Sequence, residues 1–298
     1  MKFSALPVVA LLSMGAAPPP KLPTPADILA TAKPAEWQPV DPADLMLIEL
    51  GNGDRVAIML APAFAPAHVA NIRALIRTRW FDGSAISRVQ DNYVVQWGQS
   101  DDKVPPQDLG KPLPAEYDRA AAGLPLVPLP YRDTFAPKAG YSGAFPVAMD
   151  KGRAWMAHCY GIVGVGRGLS PDTGNGGELY AVIGQAPRHL DRNIALVGRV
   201  LDGFDKMTAL PRGTGPLGFY EKAEQRFPIR RVTLAADMPA GARPAYEWLR
   251  PESASFAKWL HLRANRHDDF FIRPAGAVDL CNALPPVRAA KPARAQGD

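Results

Sequence analysis

Two apolar runs near residue 50 are separated by the polar segment Gly51-Asn52-Gly53-Asp54, a pattern typical of a β-hairpin. The runs read Leu-Met-Leu-Ile-Glu-Leu at 45–50 and Arg-Val-Ala-Ile-Met-Leu at 55–60. Beyond them, apolar residues recur at helical spacing between residues 65 and 80, and Pro66 stands where a first-turn proline is tolerated. The pattern therefore predicts a hairpin followed by a helix at 65–80.

A pair of short strands is predicted directly after this helix. The first contains Ile86-Ser87-Arg88-Val89, and the second contains Tyr93-Val94-Val95-Gln96-Trp97-Gly98. Because side chains alternate along a strand, strict alternation places Ile86 and Arg88 on one face, and Val94 and Gln96 on one face of the second strand. A sheet that displays a fixed cation, an amide and apolar side chains could grip a peptide carbonyl beside an apolar ring.

The second half of the chain adds more strand patterns than helix patterns. Apolar runs predict strands at 160–167, 178–184, 194–200 and 229–234, with a second short helix at 202–210. The chain has 298 residues, of which 47% are apolar and 21% charged, so a mainly disordered protein is excluded. The net charge of +5 comes without a cluster of Lys and Arg among aromatic residues, so no nucleic-acid partner is expected.

The N-terminus has the pattern of an export signal. Lys2 supplies a positive charge, and residues 3–17 form a short apolar run that ends in Gly15-Ala16-Ala17. We therefore predict a signal peptide at 1–17, a periplasmic or secreted protein, and no membrane-spanning segment after signal removal. The alternative is an uncleaved apolar arm in a cytosolic protein. Cys159 and Cys281 are the two cysteines, and they are either a disulfide or two unrelated buried thiols.

The strand pair resembles the core of the cyclophilin-type peptidyl-prolyl isomerases. Their pattern there is roughly Phe-His-Arg-Val, three residues, then Phe-Met-Ile-Gln-Gly-Gly. Four residues match outright, Tyr93 and Val94 are related substitutions, and Ser87 and Trp97 depart from the pattern; the matches are Arg88, Val89, Gln96 and Gly98. The order of elements over residues 44–236 is also similar to that family. The resemblance implies a mainly β fold, with a closed eight-stranded barrel capped by two helices.

The same resemblance divides the rest of the chain into segments. Residues 18–43 are a Pro- and Ala-rich lead-in, and 99–157 are a long inserted loop with short helical or strand pieces, since prolines interrupt longer elements. Residues 237–285 are too few and too poor in apolar side chains to stand alone, so we expect an extension docked on the barrel. Residues 286–298 are predicted to be a disordered tail.

Prolyl isomerisation requires an apolar pocket for the proline ring and fixed donors around the amide. It implies no cofactor and no metal. By resemblance, Arg88 stabilises the prolyl nitrogen and Gln96 positions the preceding carbonyl. The expected ligands are Xaa-Pro segments of unfolded or extended proteins. The substrate-binding residues implied by the resemblance are Tyr93, Val94, Leu179, Tyr180, His189 and Val197.

Several positions depart from the family and keep other interpretations open. Ile194 replaces a pocket histidine, Glu178 replaces a glutamine, and Arg167 replaces an asparagine that binds the substrate backbone. These changes favour a catalytically weak or inactive module that binds peptides. A third interpretation is a structural envelope protein that uses the insert and the C-terminal extension as contact surfaces.

Overall fold

A computed structural model describes residues 22–99, 103–106, 108–268 and 270–290. The signal peptide predicted at 1–17 lies outside the described residues and stays a prediction. Within the described residues the α-helices are α1 (Pro25–Thr31), α2 (Pro66–Arg77), α3 (Phe204–Thr208) and α4 (Ala254–Ala264). The strands are β1 (Trp37–Pro39), β2 (Leu45–Leu50), β3 (Arg55–Leu60), β4 (Ala85–Val89), β5 (Val94–Gly98), β6 (Arg119–Ala120), β7 (Val127–Pro128), β8 (Lys138–Ser142), β9 (Phe145–Asp150), β10 (Arg153–Met156), β11 (Ile162–Val165), β12 (Glu178–Val182), β13 (Leu196–Asp202), β14 (Phe227–Leu234), β15 (Tyr246–Leu249) and β16 (Val287–Ala289).

Eight of these strands close into an antiparallel barrel, which confirms the predicted fold class. Their order around the barrel is β11-β12-β5-β4-β14-β2-β3-β13, and β13 pairs back onto β11. The interior is filled by apolar side chains from all eight strands. Helix α2 packs Val69, Ile72 and Leu75 against this interior, and Met207 of α3 joins the same cluster, so the two predicted helices cap the barrel.

The hairpin β2–β3 is buried on both of its faces, which explains why its strands are almost uninterrupted apolar runs. Met46, Ile48 and Leu50 point into the barrel, whereas Leu45 and Leu47 join a second apolar cluster outside it. The predicted helix ends at Arg77 rather than at residue 80, because Arg79 adopts the left-handed region with a φ of 60°.

The insert and the C-terminal extension form the other side of this second cluster. The strand pieces expected within the inserted loop pair into a five-stranded sheet with the order β6-β10-β9-β8-β7. Helix α4 contributes Phe256, Trp259 and Leu260 to the cluster and packs against α1 of the lead-in. A three-stranded sheet with the order β1-β15-β16 joins the lead-in to the extension. Residues 287–289 of the tail predicted to be disordered are thus a paired strand.

Two polar connections fasten the insert and the extension to the barrel. Glu116 of the insert accepts hydrogen bonds from the backbone N of Ala67 and His68 at the start of α2, and its Oε2 lies 2.7 Å from Nδ1 of the buried His68. Arg199 of β13 donates through Nη1 to the carbonyls of Ala144 and Pro285, at 2.8 and 2.9 Å. Each connection joins segments distant in sequence.

Cys159 and Cys281 form a disulfide with an S–S distance of 2.04 Å, which decides between the two alternatives for these cysteines. The bond links the segment before β11 to the extension across 122 residues. Among the described residues, no helix combines the length and the apolar character that crossing a bilayer would require.

Candidate active site

Arg88 and Gln96 are cross-strand neighbours on β4 and β5, on the outside of the barrel. Arg88 Nη1 donates to Gln96 Oε1 at 2.9 Å. The pairing register shifts between Ile86 and Arg88, so a β-bulge interrupts β4. Ile86 consequently points into the barrel while Arg88 points out. The expectation that these two side chains share a face was wrong, because strict alternation does not hold across a bulge.

Three partners hold the guanidinium of Arg88 in one orientation. Besides the bond to Gln96, Nε donates to the carbonyl of Leu217 at 2.7 Å, and Nη2 donates to Gln90 Oε1. The guanidinium carbon also lies 5.2 Å from the ring centroid of Phe219. Burial lowers the pKa of Arg88, but an arginine remains charged at neutral pH. The site therefore contains a fixed cation with further N–H groups to offer to a ligand.

A cavity of about 280 Å³ opens beside this pair. More of its wall is apolar than polar. The lining residues are Arg88, Tyr93, Val94, Gln96, Val165, Gly166, Arg167, Tyr180, Leu190 and Ile194. Val94, Tyr180 and Val182 form a small apolar cluster of their own, against which Tyr93 and Ile194 pack. The geometry suits a small apolar ring whose attached amide faces Arg88 and Gln96.

Residues 45–234, nearly two thirds of the chain, match the family described as cyclophilin type peptidyl-prolyl cis-trans isomerase/CLD. The chain belongs to this family. A probable peptidyl-prolyl cis-trans isomerase of Brucella suis is 27% identical over 174 residues, which cover 58% of this chain and 74% of the relative. A counterpart with the same description in Brucella abortus is 26% identical over the same length.

The fold is also similar to that of a solved cyclophilin from Hirschia baltica. The two structures superpose with a TM-score of 0.66, covering 89% of this chain and 96% of the other, at 22% sequence identity. This similarity extends beyond the residues that match the family. It therefore includes parts of the chain outside residues 45–234.

Five of the eight predicted site residues meet at the cavity of this cyclophilin barrel. They are Arg88, Tyr93, Val94, Gln96 and Tyr180. The other three do not reach it. Leu179 and Val197 are fully buried in the barrel interior, and His189 is exposed on a short 3₁₀ helix beside the cavity. These three residues thus lie outside the wall of the cavity, and their assignment to the proline pocket stays a prediction.

Strand alternation gives the physical reason for the position of Leu179. Neighbouring residues on β12 point to opposite faces, so Leu179 must point inward when Tyr180 points outward. That signal was present in the sequence and would have excluded Leu179. Leu190 and Ile194 take the missing places in the cavity wall. They lie in a turn, where no strand or helix period indicates which side chains face the site.

A second cavity of about 280 Å³ lies next to the first, and the two together are called the groove. Gly166 and Arg167 line both cavities. The second cavity is more polar, and the charged residues in its wall are Lys103, Lys111, Arg167, Asp172 and Glu178.

Proposed function

We propose that the protein catalyses the cis–trans isomerisation of Xaa-Pro bonds in exported polypeptides. The observation that carries the proposal is the hydrogen-bonded pair of Arg88 and Gln96 at the edge of a mainly apolar cavity. A proline ring fits the apolar part, and its amide then lies against the two polar side chains. Such an enzyme would speed folding steps that otherwise take tens to hundreds of seconds.

The reaction needs no bond to be broken. Amide resonance gives rotation a barrier of about 18–20 kcal/mol. As the bond turns, the prolyl nitrogen stops conjugating and becomes a hydrogen-bond acceptor, so a donor held near it lowers the barrier. Arg88 is suited to this role, because its orientation is fixed before the ligand arrives and its positive charge persists.

Gln96 holds the peptide in register for that step. Its Oε1 accepts a hydrogen bond from Arg88, so its amide nitrogen is the group left to face the ligand. An amide N–H donates to a carbonyl, and the carbonyl that precedes the proline is the natural acceptor. Arg88 thus contacts the nitrogen of the rotating bond, and its neighbour Gln96 contacts the carbonyl of the same bond.

Export is supported by two independent features. The N-terminal 17 residues have the pattern of a signal peptide, and a disulfide such as Cys159–Cys281 persists in oxidising compartments. N-terminal sequencing of the protein from a cell envelope fraction tests this proposal. We expect a mature chain that begins near residue 18 and has no free thiol. A full-length chain with two free thiols in the cytoplasm would contradict it.

An isomerisation assay on a short Xaa-Pro peptide tests the activity. We expect Arg88→Ala to reduce kcat/KM about 100-fold, since removal of one preorganised donor of this kind costs about 10²–10³ in rate. Arg88→Lys keeps the charge but lacks the planar fork, and we expect it to recover only part of the loss. Arg230→Ala is the matched control, because Arg230 is an exposed strand arginine outside the cavity. An Arg88→Ala enzyme as fast as the wild type would refute the mechanism.

Peptide binding without appreciable catalysis is the second candidate function. It is favoured by Arg167, whose Nε donates to the carbonyl of Asn193 at 3.1 Å and which lines both cavities. A cation fixed across the groove, with the apolar Ile194 beside it, can hold an extended segment without assisting rotation. The same assay decides between the two candidates, because a binding module retains the peptide but gives no acceleration.

A further inference from the structure

Tyr180 is held by a buried polar chain behind the cavity. On the outer face of the barrel it is the cross-strand neighbour of Gln96 on β5 and of Gly164 on β11. A Cβ atom at position 164 would overlap the ring of Tyr180, including Cε1 at 2.7 Å. The ring therefore lies over Gly164 of β11, the neighbour on the side away from Gln96. This orientation leaves the cavity open between the ring and Arg88.

The hydroxyl group of Tyr180 ends in a contact with His158. Tyr180 Oη lies 3.0 Å from His158 Nε2, and His158 Nδ1 lies 3.0 Å from Asp191 Oδ1. The backbone N of His158 donates to the same carboxylate oxygen at 3.0 Å. All three side chains are buried, and that of His158 is completely so. The chain thus runs Asp191, His158, Tyr180 and reaches the cavity wall.

Other buried groups hold Asp191 in place. Arg188 Nε donates to Asp191 Oδ2 at 2.6 Å, and Trp155 Nε1 donates to the same atom at 3.2 Å. Arg188 also makes a bidentate pair with Asp133, at 2.9 and 3.1 Å. Asp133 and Trp155 belong to the insert. Its sheet therefore supports the back of the cavity through Asp191.

The hydrogen-bond partners indicate which group donates at each contact. Burial by itself raises the pKa of Asp191, but the hydrogen bond from His158 and the charge of Arg188 outweigh it, so the pKa lies below its usual value. Asp191 is therefore a carboxylate, which only accepts. Nδ1 of His158 therefore donates to Asp191, and we assign Nε2 of His158 as the acceptor of the hydrogen bond from the Tyr180 hydroxyl. Burial raises the pKa of Tyr180, so its hydroxyl keeps the proton that it donates.

We propose that His158 and Asp191 are positioning residues that hold the ring of Tyr180 against Gly164 and so keep the proline pocket open. The inference rests on the proposed function, since it concerns how the same pocket is shaped. Without His158, the hydroxyl of Tyr180 would be a buried donor with no partner in its present position. The polar groups of Arg88 and Gln96 lie across the cavity, and a ring that turned toward them would fill it.

Two substitutions at one contact test the proposal. The probe is a short peptide that contains Ala-Pro, and its Kd is measured together with kcat/KM. We expect His158→Phe to raise the Kd about tenfold, because the orphaned hydroxyl leaves its position. Adding Tyr180→Phe should return the Kd to within about threefold of the wild type, because a phenylalanine needs no partner there and replacing both partners by apolar groups is close to neutral.

His68→Phe is the matched control. His68 is also completely buried and also contacts a carboxylate, Glu116, but it lies outside the cavity. We expect this variant to lose stability and to bind the peptide like the wild type. If His158→Phe remains folded and binds the peptide as tightly as the wild type, or if the second substitution restores nothing, the positioning role is wrong.

A ¹⁵N NMR spectrum of the free protein gives a measurement that needs no ligand. We expect a proton on Nδ1 of His158, with Nε2 accepting from Tyr180; a proton on Nε2 would mean that Tyr180 accepts, which contradicts the proposal. Failure of the proposed isomerase function can be distinguished from failure of this positioning role. A wild type that shows no acceleration refutes the isomerase, whereas the tautomer and the paired substitutions still decide whether His158 positions Tyr180.

Discussion

Gly164→Ala is the substitution that tests the shape of the pocket most directly. The added Cβ would lie 2.7 Å from Cε1 of Tyr180 and closer still to its Cζ and Oη, whereas ordinary contacts begin at 3.4 Å. The ring must therefore move by about 1 Å. The end of a free side chain would move at little cost. Tyr180 is not free, because His158 holds its hydroxyl at 3.0 Å.

The expected loss of stability follows from these two constraints, the overlap with the added Cβ and the hydrogen bond to His158. Overpacking of a well-packed site costs roughly 1–3 kcal/mol. A shift of about 1 Å also breaks the hydrogen bond to His158, and a buried hydroxyl without a partner costs roughly 1–3 kcal/mol more. We therefore expect Gly164→Ala to lower the free energy of unfolding by about 2–5 kcal/mol. Because the ring can move only away from β11, it enters the cavity, and we expect the Kd of an Ala-Pro peptide to rise about tenfold.

Urea unfolding, followed by tryptophan fluorescence, and peptide titration measure the two effects. Gly241→Ala is the control, since a Cβ there meets no atom within 4 Å and should change the stability by less than about 0.5 kcal/mol. A second control repeats Gly164→Ala in a Tyr180→Ala background, where the three nearest atoms to the new Cβ are absent. The reasoning is refuted if Gly164→Ala is as stable as the wild type, or if its loss of stability persists in that background.

Two further predictions concern the groups around this pocket. Replacing Cys159 and Cys281 together by Ser should lower the free energy of unfolding by up to about 5 kcal/mol, because the disulfide closes a loop of 122 residues; equal urea midpoints for the two proteins would contradict this. Asp191→Asn should cost about 3 kcal/mol or more at pH 7, since it leaves Arg188 buried with less countercharge. The folded-state pKa of Asp191 is depressed, so its stabilisation is present above its unfolded pKa of about 3.9 and is lost as the pH falls through the folded value. The difference between wild type and Asp191→Asn should therefore narrow from pH 7 to pH 3, and a constant difference would show that the charge of Asp191 is not its source.

The barrel could be predicted from the sequence because its strands follow simple rules. The hairpin has an Asn-Gly turn between two apolar runs, and α2 has apolar residues at helical spacing. The fold around Arg88 could not be derived in the same way. One bulge in β4 reverses the face on which Ile86 and Arg88 lie, and nothing in their immediate sequence marks it.

The pocket was predicted in part for a related reason. Matching family positions placed Leu179 and Val197 in the pocket, while the alternation of β12 would have kept Leu179 inside the barrel. Leu190 and Ile194 reach the cavity from a turn that has no period to interpret. The chain through His158 depends on contacts between residues 22 and 33 positions apart. No local pattern indicates pairs of that kind.

The sheet of the insert was obscured by its prolines and by its short strands. Strands β6 and β7 have two residues each, and β7 ends in Pro128 at the edge of the sheet, where a missing N–H is tolerated. A pattern of two residues cannot establish a period. The sequence does indicate the surface on the barrel against which the insert packs, since β2 and β3 are apolar on both faces.

That second apolar face explains why the chain extends well beyond the barrel. Leu45, Leu47 and Met59 point outward from β2 and β3 and would form an exposed patch on an isolated barrel. The insert and α4 cover them, so the barrel, the insert and the extension share one apolar cluster. The same insert supplies Asp133, from the loop between β7 and β8, and Trp155, from β10, to the support of the pocket. The insert thus covers an apolar face of the barrel and, under the positioning role proposed for His158 and Asp191, also supports the ring of Tyr180.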